Sequence, residues 1–114
     1  MSTLKETPVA EATHANQYGY SDVYPFEIVR KVSDKTVVIR AMNYTRDDSV
    51  KLEFNVGGFS AHCVNQSEQK WICESDTDRP EIRVRLHKDG WWRDSNGNKY
   101  GLSMNPRRFY DYNF

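Results

Sequence analysis

The feature that most constrains this chain is a period of two. In residues 81–87, Ile82, Val84 and Leu86 alternate with Glu81, Arg83, Arg85 and His87. Residues 50–56 repeat the pattern, with Val50, Leu52, Phe54 and Val56 set against Lys51, Glu53 and Asn55. Successive side chains of a strand point to opposite faces, so each run specifies a strand with one apolar and one polar side. No segment carries a convincing helical period.

Other stretches read the same way. Residues 25–32 and the β-branched run 36–42 predict a hairpin across Ser33-Asp34-Lys35. Residues 43–49 read as a polar loop. Residues 59–64 and 70–74 suggest a further hairpin, and residues 75–80 a second polar loop. Near the C-terminus, Asn96-Gly97 tolerates positive φ and suits a primed or bulged turn. Trp91, Trp92, Tyr100 and Leu102 flank it with bodies that pack well on a pleated surface. The expected fold is all-β: a small antiparallel barrel or compact sandwich of seven or eight short strands. About 90 ordered residues are few for two full sheets, which favours the barrel. Residues 1–20 lack sustained periodicity and read as a flexible arm, leaving 21–114 as a single β domain.

The chain has 114 residues, enough for one core without metal or disulfide staples. Its formal charge is zero, which removes the simplest argument for bulk attraction to nucleic acid or anionic membrane. The balance is uneven, however. Residues 1–78 carry eight Lys/Arg against twelve Asp/Glu, whereas residues 79–108 carry eight against three. No run approaches the roughly 18 apolar residues of a membrane span, and the N-terminus lacks the apolar core of a secretory signal. The expectation is a cytoplasmic protein whose two cysteines, Cys63 and Cys73, remain thiols.

Nothing in the residue pattern predicts catalysis. His62, Cys63, Cys73 and His87 match no zinc spacing, so neither metal nor cofactor is expected. A Gly-x-Ser-x-Gly elbow is absent, and Gly57-Gly58 reads as a tight turn rather than a phosphate cradle. Asp76 and Asp78 lie in a loop that reads as solvated, and His14 falls in the arm.

What remains is a basic and aromatic C-terminal part. Arg83 and Arg85 face outward on one strand, with Lys88, Arg93 and Lys99 on the adjoining hairpin. Arg107 and Arg108 lead into Phe109, Tyr110 and Tyr112. Rings beside positive charge can hold single-stranded nucleic acid by stacking. The same residue types make protein interface hot spots. The candidate binding residues are Arg83, Arg85, Lys88, Arg93, Lys99, Arg107, Arg108, Tyr110 and Tyr112, while Trp91, Trp92, Tyr100 and Phe109 are assigned to closing the barrel.

The run Gly90-Trp91-Trp92-Arg93-Asp94-Ser95-Asn96-Gly97 through Tyr100 and Leu102, with its terminal Arg-Arg-Phe-Tyr-Asp-Tyr-Asn-Phe, resembles short accessory proteins of tailed bacteriophages and prophages. The resemblance covers the last quarter of the chain. It implies a non-enzymatic phage-type accessory protein in the cytoplasm of the infected or lysogenic host. Such a protein is expected to bind a host or defence-system protein or ribonucleoprotein as an inhibitor. The mixed charge argues against a DNA mimic. The alternative expectation is a small barrel that binds RNA or single-stranded DNA.

Overall fold

Strand pairing in this chain begins earlier than its apolar pattern does. The computed structural model describes residues 7–47, 54–57, 60–63 and 69–110. Eleven strands lie among them. In chain order they are β1 (His14–Tyr18), β2 (Val23–Tyr24), β3 (Phe26–Ser33), β4 (Thr36–Ala41), β5 (Asn43–Arg46), β6 (Phe54–Gly57), β7 (Ser60–Cys63), β8 (Trp71–Glu74), β9 (Glu81–Leu86), β10 (Trp92–Arg93) and β11 (Lys99–Ser103).

Six of these strands close on themselves. The sheet runs β11-β10-β9-β4-β3-β1, with β2 as an extra strand beside β1, and β1 also pairs with β11. The closing seam is antiparallel and five pairs long, from His14↔Ser103 to Tyr18↔Lys99. The all-β expectation holds, and closure into a barrel leaves the β1–β11 seam with no open edge. The strand count exceeds seven or eight because β1, β2 and β5 form where the sequence pattern shows no strand.

The interior is filled by Ala15, Phe26, Val37, Ile39, Val84, Trp92 and Tyr100. Alternation places them: Val84 points in between the exposed Arg83 and Arg85, and Val37 and Ile39 point in from β4. The β3–β4 hairpin turns at Asp34-Lys35, pairing Ser33 with Thr36. Two smaller pairs lie outside the barrel, β5 with β8 and β6 with β7.

Three sequence expectations are corrected. The flexible arm assigned to residues 1–20 contains β1, the strand that completes the barrel. His-Ala-Asn-Gln-Tyr has no β-branched residue, yet Ala15 is 0% and Asn16 1% exposed. Ala15 fills the barrel on one face, and Asn16 is covered on the other by the tail. The polar loop assigned to 43–49 contains β5, which pairs with β8 from Asn43↔Glu74 to Arg46↔Trp71. The hairpin expected between 59–64 and 70–74 does not form. Cys63 instead stands opposite Phe54, and Cys73 opposite Tyr44. Cys73 is a free thiol whose pKa burial raises, against a smaller lowering from Arg108. Residues 50–53, Gly58-Phe59 and Tyr112, each read from the sequence, lie outside the described residues. Among the described residues no helix is long and apolar enough to cross a membrane.

Candidate binding surface

The outer face of the barrel is set by the same pairings that fill its inside. Arg85 stands opposite Arg93 across β9 and β10, Arg93 opposite Lys99 across β10 and β11, and Lys99 opposite Tyr18 across the seam. Directly paired residues share a face. These four side chains therefore form one row across four strands, about 14 Å from end to end at the usual strand spacing.

Each member is fixed differently. Arg93 is ion-paired to Asp89 and donates from Nη1 to the Gly97 carbonyl at 3.0 Å. Lys99 Nζ sits 5.5 Å over the Trp91 ring. Tyr18 meets that same ring edge-on, centroids 5.6 Å apart at 62°. Gly101 gives Tyr18 its place, because a Cβ there would lie 3.0 Å from Tyr18 Cε2. Arg83 and Arg85 are exposed, and among the described residues no carboxylate pairs with either. Asp89 pairs with Arg93, so among the described residues the cations of this face without a carboxylate partner are Arg83, Arg85 and Lys99, set against Glu81 and Asp94 in a shared groove.

The row joins two depressions. At one end a groove of about 740 Å³ is lined by Arg83, Arg85, His87 and Arg93, with the carboxylates of Glu81 and Asp94 among them. At the other, a cleft of about 440 Å³ is lined by Tyr18, Tyr20, Trp91, Asn98 and Lys99. Tyr20 stands 92% exposed at its rim.

The hairpin beneath is held by one carboxylate. Asp94 Oδ1 accepts from the backbone N–H of Asn96 at 2.9 Å and of Asn98 at 3.0 Å. Its Oδ2 accepts from Asn98 Nδ2 and from the Tyr100 hydroxyl, both at 2.9 Å. Burial opposes ionisation of Asp94, but these bonds hold its pKa below the usual carboxylate range. Gly97 supplies the positive φ, 86°, that the turn requires.

Arg83, Arg85, Arg93 and Lys99 thus come together, as the sequence suggests. Lys88 is exposed in the preceding turn, outside the row, and Arg107 is exposed on the tail. Arg108 is corrected from a surface residue to a partly buried one. Its guanidinium is enclosed by Tyr44 at 4.5 Å, Tyr24 at 4.6 Å, Trp71 at 4.9 Å and Tyr110 at 5.6 Å. Those rings come from β2, β5, β8 and the tail, elements that no local pattern connects to Arg108. Tyr18 and Tyr20 precede the first apolar run, which hides them from a pattern reading, and Trp91 reads from the sequence as a core partner of Trp92. Adjacent strand residues face opposite ways, so one tryptophan of the pair had to point outward. Trp92 is buried and Trp91 lines the cleft. Compared with known proteins, the chain matches no family model, no curated protein and no solved structure.

Proposed function

We propose that this protein acts by binding, and that the row Arg85, Arg93, Lys99 and Tyr18, with Trp91 beside it, receives a short single-stranded segment of RNA or DNA. The observation that carries this reading is the row itself: cations in line with a partly exposed aromatic pair. Cations along such a row attract backbone phosphates, and Trp91, Tyr18 and Tyr20 present faces on which bases stack regardless of sequence. With two or three phosphates neutralised, log K should fall against log salt with a slope of about −1.4 to −2.1. The zero net charge suits a local site better than bulk attraction.

The test is fluorescence anisotropy of labelled ten-nucleotide oligo-U and oligo-dT at 50 mM and 200 mM salt. Trp91→Ala should weaken binding by roughly 5- to 150-fold, the loss of one stacked base, and Arg85→Ala should make the salt slope shallower by about 0.7. If neither oligonucleotide binds at 50 mM salt, or if both variants bind like the parent, the reading fails. A protein partner, the expectation drawn from the phage resemblance, would instead be captured from host lysate in a nuclease-resistant manner.

A further inference from the structure

Residues 105–110 are held as a recognition groove holds a peptide. Asn16 takes two main-chain groups of this segment: its Nδ2 donates to the Asn105 carbonyl at 3.0 Å, and its Oδ1 accepts from Arg107 N–H at 2.9 Å. Val23 exchanges both backbone bonds with Phe109, each 2.9 Å. Gln69 takes both main-chain groups of one residue, donating to the Tyr110 carbonyl at 2.8 Å and accepting from Tyr110 N–H at 3.0 Å. Main-chain bonds of this kind bind any extended peptide, and a pocket for one side chain supplies the selection.

That pocket is the four-ring cage around Arg108. Tyr44 meets Tyr24 at 6.3 Å and Trp71 at 5.8 Å, so the rings wall the guanidinium on several sides. Among the described residues no carboxylate pairs with it. Its Nη1 donates to the carbonyls of Val23 and Phe109, at 3.2 and 2.8 Å. Ring faces attract a cation without demanding a counter-ion, so the cage is charge-selective by construction. The Arg108 Nε, however, is buried with no hydrogen-bond partner among the described residues. A buried donor left unmet lowers stability, a cost the tail bears while it fills the cage. Tyr44 and Tyr110, 38% and 43% exposed, leave the cage open to solvent on one side.

We propose that this groove receives an extended peptide of a partner protein, carrying an arginine followed by an aromatic residue, and that the tail occupies it in cis until displaced. The inference is independent of the outer row. Full-length wild type, Arg108→Ala and Arg108→Lys are titrated against a labelled, N-acetylated hexapeptide, Asn-Pro-Arg-Arg-Phe-Tyr, and against the same peptide with its second arginine replaced by alanine. A tethered ligand competes at an effective concentration in the millimolar range. Arg108→Ala, with its barrel intact by near-UV circular dichroism, should therefore bind the peptide at least about tenfold more tightly than wild type. The alanine peptide should bind that variant at least about fivefold more weakly. If Arg108→Ala does not fold, Arg108→Lys takes its place with the same expected order. The proposal is overturned if a folded variant binds no more tightly than wild type, or if both peptides bind alike. It also fails if neither variant folds, which makes the tail a structural part of the domain. Sedimentation of wild type as a dimer would assign the groove to tail exchange between copies and overturn the partner assignment.

Discussion

Tyr100→Phe removes one oxygen from the junction between the C-terminal hairpin and the barrel. Tyr100 is 1% exposed, and its ring packs edge-on against Phe26, centroids 5.2 Å apart at 89°. Phenylalanine keeps that packing and opens no cavity. What is lost is the hydroxyl, which donates to Asp94 Oδ2 at 2.9 Å and accepts from Gln17 Nε2 at 3.1 Å. A hydrogen bond to a carboxylate contributes about 1.5–3 kcal/mol and a neutral one about 0.5–1.5 kcal/mol. Asp94 keeps its three other donors, and the half-buried Gln17 can regain water. The expected loss is therefore about 2 kcal/mol, a fall in Tm of about 6–12 °C for a chain of this size.

Urea unfolding should show a lower midpoint at unchanged slope. In a double-mutant cycle with Asp94→Ala, the coupling should be about 1–2 kcal/mol, because the two groups touch. The pH dependence gives an independent check. Burial, reinforced by the Asp94 carboxylate, pushes the Tyr100 hydroxyl well above its ordinary value of 10. With the folded pKa raised, the stabilisation is fully present below about pH 10 and is lost as pH rises beyond it. The margin of wild type over Tyr100→Phe should accordingly shrink in alkali. A loss under about 0.5 kcal/mol at neutral pH, or additive single variants, would refute the reasoning.

Two further outcomes follow from local geometry. Glu27 lies half-buried against Arg40, which donates to its Oε2 from Nε and Nη2 at 3.1 and 2.8 Å, while the Ser75 hydroxyl donates to Oε1 at 2.7 Å. Burial opposes its ionisation, but Ser75 and Arg40 hold the carboxyl below its usual value of 4.5. That contribution is present above about pH 4.5 and is lost as pH falls through the folded pKa; Glu27→Gln should flatten the acid limb of a urea-midpoint series, and parallel curves would contradict this. Gly97→Ala meets no atom within 4 Å but must hold φ at +86°. Thermal melts should show a cost of about 1–2 kcal/mol from the backbone alone, and a neutral result would mean the turn can relax.

Alternation made β4 and β9 legible, and with them the outward Arg83 and Arg85. Asn-Gly made the last hairpin legible. What stayed hidden is held by polar side chains whose partners are remote in the chain. β1 is a strand because it pairs with β11; its buried Asn16 is bonded across 89 and 91 residues, to Asn105 and Arg107, and Ala15 fits a barrel interior that other strands define. β5 joins a sheet only because β8 returns to it. Arg108 looks like a surface charge until Tyr24, Tyr44 and Trp71 are brought around it. A basic, aromatic tail is compatible with an exposed surface or a caged cation, and sequence spacing cannot choose between them.

The seam between β1 and β11 joins these features into one system. Side chains alternate, so a slip of one residue would turn Ala15 and Gln17 outward and Asn16 and Tyr18 inward. Ala15 would leave the core, and Tyr18 would leave Lys99 and the Trp91 ring. The Asn16 amide would be withdrawn from Asn105 and Arg107, whose main-chain groups would lose their partner. Five residue pairs therefore fix the closure of the barrel, the last member of the outer row and the first anchor of the tail. Substitutions that weaken this seam should lower stability, oligonucleotide binding and tail occupancy together. Arg85 and Trp91 lie outside the seam pairs, and replacing them should reduce oligonucleotide binding alone. The two patterns separate a contact surface from the framework that presents it.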